Sequence, residues 1–251
     1  MKVSIVTTVK EDICGFVKTY NSVISQGYSN IEYIVIDASQ NEKIRESNPE
    51  FLEKIDIFVE EADSSPYEGM NKGIDAATGE IIALLHAGDF YSSNSIVAQI
   101  VDMFKENNTK LVYGDIVYHS LKNSNKVVRV WKGERITMKS LYNGIFPPHP
   151  SLFVKKELYD EVGRYDTQYK IAADSDFMFR LFYRDPPSFY LEKEILSMRI
   201  GGRSNRSLAA IYNSNVEFYK ILKKNGVANP FLKTLKKIFS KSKQLFNKNK
   251  E

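Results

Sequence analysis

The sequence predicts an α/β domain with a mostly parallel central sheet flanked by helices. Two observations carry this. Short runs of apolar, β-branched residues alternate with longer segments whose apolar residues recur at helical spacing. The 251 residues contain no internal repeat and no Pro/Ser-rich linker, so one domain is the simplest division. At this length a single domain buries a sizeable core, and 43% apolar with 26% charged residues is ordinary for a globular protein.

Residues 3–8 (Val-Ser-Ile-Val-Thr-Thr) are short, apolar and β-branched, as in a buried strand. A helix follows from Gly15 to Gln26, with Phe16, Tyr20, Val23 and Ile24 on one face and Gly27 at its end. Residues 31–36 read as the second strand, with Asp37 at its carboxyl end, and 55–60 as the third. Met70 to Thr78 reads as a helix closed by Gly79. Residues 80–85 (Glu-Ile-Ile-Ala-Leu-Leu) read as a fourth strand running into His86-Ala87-Gly88-Asp89. A helix over 95–107 and a strand over 110–118 come next. Residues 120–150 are polar, then rich in Pro and Gly, and read as loops with short strands. Helical patterns return at 155–163 and 174–184, strand-like residues at 188–199, and a last globular helix at 206–225.

In such sheets ligands bind at the carboxyl ends of the strands. Asp37 and Asp89 both fall at such ends and are site candidates on that ground alone.

Several chemistries are excluded by what is missing. There is no G-x-x-x-x-G-K-[ST] phosphate loop, no G-x-G-x-x-G fingerprint and no G-x-S-x-G elbow. No Cys/His cluster suits zinc. The lone Cys14 rules out an internal disulfide and is expected to be a small buried residue. The first residues suit no signal peptide, and no run of about 18 apolar residues suggests a spanning helix.

The polar concentrations are carboxylate-based. Asp89 reads either as a ligand of a divalent cation held against a diphosphate or as a turn or capping acid before the 95–107 helix. Asp174-Ser175-Asp176 opens an amphipathic helix. Its acids suit a general base that takes a proton from an attacking hydroxyl, and equally the acid enrichment that a helix dipole favours. A polar loop over 61–69 leads to Asn71 and Lys72, a cation beside a helix start that suits a phosphate or a solvated face.

Taken together, Asp63…Tyr67-Glu68-Gly69-Met70-Asn71-Lys72-Gly73-Ile74…Ala77-Thr78-Gly79-Glu80…Leu85-His86-Ala87-Gly88-Asp89 resembles family 2 of the inverting glycosyltransferases, with the GT-A fold, and within it the branch that builds bacterial surface polysaccharides. The resemblance covers roughly residues 1–205 and includes His149-Pro150-Ser151-Leu152-Phe153 and Gly201-Gly202-Arg203-Ser204. It implies that Thr7 and Thr8 line the nucleotide pocket, that Asp37 bonds the base, and that Asp63, Asn71 and Lys72 face the nucleotide or its phosphates. It makes Asp89 the ligand of Mg²⁺ or Mn²⁺ and Asp174 the catalytic base, with Asp176 the second candidate. His149, Arg203 and Ser204 would lie near the acceptor or a closing loop. The chain departs from the pattern in four places, one of them Glu68, where the family commonly has aspartate. Gly88 replaces the first aspartate of the metal element, Ala173 replaces the glutamate that often precedes the base, and His86 replaces an asparagine. His86 either contacts the donor or packs at the strand end.

The expected activity is transfer of a sugar from a nucleotide-sugar, UDP-linked, to a hydroxyl of a lipid-linked or growing surface glycan. A non-catalytic nucleotide-sugar-binding protein and a sugar nucleotidyltransferase are the other readings. Residues 229–251 form a basic tail after the 1–228 domain. Residues 233–250 hold seven lysines and no acid against a net charge of +4. Leu235, Ile238, Phe239, Leu245 and Phe246 fall near one helical face, which suits an anionic membrane surface through 232–250 or a solvated tail. The globular part has no basic stripe for nucleic acid. The expected location is cytoplasmic, on the inner face of the plasma membrane.

Overall fold

The structure, a computed structural model, describes residues 1–41, 43–120, 127–199 and 208–246. The chain runs β1 (Val3–Val9), α1 (Ile13–Ile24), β2 (Ile31–Asp37), α2 (Ile44–Ser47), a 3₁₀ turn (Pro49–Lys54), β3 (Ile57–Glu60), α3 (Pro66–Ala76), β4 (Ile81–Leu84), β5 (Phe90–Tyr91) and α4 (Ile96–Glu106). It continues β6 (Leu111–His119), β7 (Val127–Trp131), α5 (Met138–Tyr142), a 3₁₀ turn (His149–Ser151), β8 (Phe153–Lys155), α6 (Lys156–Val162), α7 (Ala173–Tyr183), β9 (Ser188–Arg199), α8 (Leu208–Lys224) and α9 (Pro230–Phe246).

Among the described residues nine strands join one sheet in the order β3-β2-β1-β4-β8-β6-β9-β5, with β7 paired to β6. β1, β2, β3 and β4 are parallel neighbours. β8 runs antiparallel to both β4 and β6, and β9 is parallel to β6. Six strands, β1 to β4 with β6 and β9, therefore share one direction, and β5, β7 and β8 oppose it. The expected mostly parallel sheet is present, and the carboxyl ends of β1, β2, β4, β6 and β9 open on one edge of the molecule.

Strand alternation divides the core. Val3, Ile5 and Val9 of β1, with Tyr33 and Val35 of β2, face α1 and α4. Val6, Ile34 and Ile36 face α3 and α7. Phe16, Tyr20 and Val23 form the buried face of α1 as the spacing predicts. Cys14 sits on the outer side of that helix and is exposed; the expectation of a buried cysteine fails because the apolar stripe begins two residues later.

The main shift in an element boundary bears on the site. α3 starts at Pro66, not Met70, because Ser65 caps it and accepts from Glu68 N at 3.3 Å, with proline at the first helical position. Glu68 in turn accepts from Ser64 N at 2.9 Å, a variant of the reciprocal capping box. Gly69 and Gly73 let this helix lie close on β1. A Cβ at Gly73 would meet Val6 Cγ1 at 2.1 Å.

α9 packs against α8 through a face that the pattern did not predict. Thr234 and Lys237 are buried, and Lys237 Nζ sits 3.9 Å over the Phe218 ring. Phe231, Leu232 and Ile238 point outward. Among the described residues no helix is long and apolar enough to cross a membrane.

Candidate functional site

The site forms where β1, β2 and β4 end. Past β4, Leu85 N and Ala87 N continue the ladder by donating to Val6 O and Thr8 O. His86-Ala87-Gly88-Asp89 then closes as a turn, with Asp89 N donating to His86 O at 3.0 Å. Gly88 has φ +95°, the left-handed conformation that glycine adopts without strain. Thr19 of α1 braces the turn from behind. Its hydroxyl donates to Asp89 O at 2.7 Å and accepts from Gly88 N at 3.0 Å.

The turn carries Asp89, which is 5% exposed. Its Oδ2 is buried and has no hydrogen-bond partner among the described residues. Burial, and after it the charge of Asp12, push this carboxyl well above the usual carboxylate range. An orphaned buried carboxylate oxygen is costly unless something charged completes it. A divalent cation that draws its other ligands from a diphosphate and water meets that need. No three His, Cys, Asp or Glu side chains converge as a metal cage among the described residues, so the protein's share fits a donor-completed metal. Asp12, which caps α1 through Oδ1 and Gly15 N, sends its Oδ2 toward Gly88: a Cβ at Gly88 would lie 3.7 Å from it. A second carboxylate thus stands beside the position where the family's first aspartate is missing.

The other expected site residues divide into two groups. Thr8 Oγ1 and His86 Nδ1 are hydrogen-bonded at 2.7 Å across the ends of β1 and β4. Asp63 accepts from Lys10 Nζ at 2.9 Å and lies against Gly69 at the start of α3. These four side chains surround the mouth of the site. Near it, a cavity of about 240 Å³ lined by Ser39, Gln40, Lys43, Glu60, Glu61 and Ala62 opens at the ends of β2 and β3.

The second group is bonded to neighbouring elements of the fold. Thr7 is fully buried and accepts from Tyr33 OH, because alternation along β1 turns it away from the mouth that Thr8 faces. Asp37 is fully buried, with its two oxygens accepting from Ser39 N and Ile44 N, and it shapes the loop beside the cavity. Asn71 spends its amide on Tyr165, donating to its carbonyl and accepting from its N–H, both at 2.9 Å. Lys72 pairs with Glu61 and Glu68, which hold its ammonium above the usual range although burial works against the charge. His149 is buried, bonds Tyr165 OH at 2.7 Å, and is held down to about 4 by desolvation. It braces Tyr165. Arg203 and Ser204 lie outside the described residues.

The two candidate bases also separate. Asp176 is fully buried and paired with Arg180 at 2.8 Å, whose guanidinium also donates to Val162 O and Arg164 O. Asp174 is half-buried on the first turn of α7, and its Oδ1 accepts from Ser175 N. Asp174 is the more exposed of the two, and the buried Oδ1 of Asp176 has no hydrogen-bond partner among the described residues.

Sequence reasoning missed Asp12 and Thr19. The approach of Asp12 to Gly88, like Thr19's grip on a turn 69 residues away, has no local signature.

The sequence model described as "Glycosyl transferase family 2" matches residues 4–163. An uncharacterized glycosyltransferase of Mycobacterium tuberculosis is 27% identical over 198 residues, covering 71% of this chain and 68% of its own. A PGL/p-HBAD biosynthesis glycosyltransferase of Mycobacterium bovis is 27% identical over 167 residues, covering 64% and 62%. The chain thus spans about two thirds of the length of these relatives. Among solved structures, S. aureus TarS residues 1–349 superpose with a TM-score of 0.67 at 14% identity, over 88% of this chain and 65% of that one. A mannosyltransferase from Pyrobaculum calidifontis, solved with GDP-Man and Mn²⁺, superposes with a TM-score of 0.65 at 14% identity, over 92% and 66%. With the match to residues 4–163, the sheet order and the carboxylate turn after β4, the chain belongs to glycosyl transferase family 2 and has the GT-A fold.

Proposed function

We propose that the chain moves a sugar, with inversion, from a nucleotide-sugar to a hydroxyl of a lipid-linked or growing surface glycan. The observation that carries this is the buried Oδ2 of Asp89 past the carboxyl end of β4, which has no hydrogen-bond partner among the described residues. TarS has been solved with UDP-GlcNAc, and a UDP-linked donor is the reading adopted for this chain.

Asp89 would hold Mg²⁺ or Mn²⁺ together with the donor diphosphate. The bound ion supplies Lewis-acid stabilisation of the departing nucleoside diphosphate. The cavity beside Ser39 and Lys43 takes the nucleoside, and the Thr8–His86 pair orients the donor between cavity and turn. Asp174 accepts the proton of the acceptor hydroxyl as that oxygen attacks the anomeric carbon from the face opposite the leaving group. Asp176 fixes α7 beneath it. The lysines of 232–250 other than the buried Lys237, with the exposed Leu232 and Ile238, bring the domain to an anionic membrane surface on the cytoplasmic side, where it meets a lipid-linked acceptor.

The decisive measurement is a melting-temperature screen of UDP, GDP, dTDP and CMP, each with and without Mn²⁺, on wild type and Asp89→Ala. A ligand that binds only the folded chain raises the melting temperature by mass action. The expected result is a UDP shift that needs Mn²⁺ and disappears in Asp89→Ala. The absence of any shift with all four nucleotides would remove the donor site.

A further inference from the structure

The segment 163–172, between α6 and α7, is held from two sides. From α3, Asn71 bonds both backbone groups of Tyr165, and Tyr67 OH donates to Ile171 O at 2.7 Å. From α8, which lies beyond the matched residues 4–163, Lys224 pairs with Asp166 at 3.1 Å. Glu217 of α8 makes the closest tie to the helix carrying Asp174. Its Oε1 accepts from Lys170 N at 2.9 Å, and its Oε2 accepts from Ile171 N at 3.0 Å and Ala172 N at 2.8 Å.

Three consecutive backbone amides converging on one carboxylate form a strong, charge-assisted anchor. It sits at a helix start that lacks one of its own: the residue preceding α7 is Ala172, which has no side-chain cap. A carboxylate borrowed from α8 therefore fixes the backbone two residues before Asp174. The neighbouring Phe218 carries the Lys237 ammonium of α9, so the same turn of α8 holds the base-bearing helix on one side and the C-terminal helix on the other.

We infer that Glu217 is a positioning residue for Asp174, setting the direction of the base while leaving the donor site untouched. The inference rests on the reading of Asp174 as the base. Misplacing a reacting group by about 1 Å costs roughly a hundredfold in rate, which is the scale on which losing this anchor would be felt.

The test uses the full chain with Mn²⁺ and UDP-GlcNAc, UDP-Glc and GDP-Man as donors, water serving as acceptor, and reads nucleoside diphosphate release, nucleotide affinity and amide hydrogen exchange. For Glu217→Ala the expected result is a fall in kcat of about tenfold or more with KM and UDP affinity unchanged. Exchange should accelerate over residues 170–175 and not in β1 or β4. Glu217→Gln, which keeps one acceptor oxygen, should recover an intermediate rate. Wild-type exchange at 170–175 in Glu217→Ala overturns the inference, as does accelerated exchange with unchanged kcat. Loss of UDP affinity in parallel with kcat overturns it too, by showing general destabilisation. Asp174→Asn separates the two ideas: if it turns over donor like the wild type, the base assignment fails by itself. If no donor turns over even in the wild type, the proposed function fails and exchange alone decides whether Glu217 holds the turn.

Discussion

Thr19 shows how one hydroxyl conditions a site it never faces. It satisfies Gly88 N and Asp89 O together, so Thr19→Val leaves two buried backbone groups unpaired. That should cost about 1–3 kcal/mol and weaken Mn²⁺-dependent UDP binding, while Thr19→Ser keeps both; calorimetric titration of the two variants reads the difference. Glu32 makes a separate statement at the far end of the sheet. Burial alone would raise its carboxyl, but hydrogen bonds from Lys2, Ser4 and Thr78 hold it down to about 2. A folded-state value below the unfolded one of about 4.5 gives stability that is complete above that value and lost as pH falls from 4.5 toward 2. The melting temperature of Glu32→Gln should therefore be lower than wild type at pH 7, with the gap narrowing through that acid window. The acids at strand ends were legible in the sequence because chemistry and position coincide there. How each is held was not: Asp37 accepts from backbone donors within its own loop, and Asp176 pairs through Oδ2 with an arginine one turn on while its buried Oδ1 has no hydrogen-bond partner among the described residues.

At the scale of elements, the close approach of α3 to β1 is what brings Asp63 and Gly69 to Thr8. Gly73→Ala adds a Cβ that would overlap Val6, an overpacking expected to cost about 1–3 kcal/mol despite the better helix propensity of alanine. Because Val6 is the obstacle, Val6→Ala/Gly73→Ala should be less destabilised than the sum of the single changes, a coupling that denaturant titrations of the four proteins would measure. α9 supports a different expectation. Its outward Phe231 and Leu232, each 62% exposed, should mediate binding to phosphatidylglycerol vesicles. Phe231→Ala/Leu232→Ala should weaken sedimentation with those vesicles and leave the UDP melting shift intact. Helical spacing had grouped Leu235 with Ile238, but docking on α8 chose the Thr234–Lys237 face. The choice depends on the Phe218 ring, which the local pattern of residues 230–246 does not record.

For the molecule as a whole, the strands that were easy to read are the long ones buried on both faces, where apolar β-branched runs leave little alternative. β5, with two residues, and β8, with three, are too short to show any period, and tertiary pairing alone makes them strands. The site was legible as far as the turn after β4 and the start of α7, since both join a sharp change of composition to a carboxylate. Its supports were not legible, because Thr19, Asn71 and Glu217 act on segments 45 to 94 residues away.

The place of β8 in the sheet also governs how the chain is built. β4 and β6 do not touch; residues 153–155 lie between them. During synthesis from the amino terminus, both strands emerge long before the piece that joins them, and each waits with a row of unpaired amides and carbonyls. Such open edges invite pairing with other chains, and a sheet closed by distant contacts forms slowly. The facing edges of β4 and β6 therefore stay open until β8 emerges, and the other edge of β6 until β9 does, an interval set by strand order and independent of the stability of the finished fold.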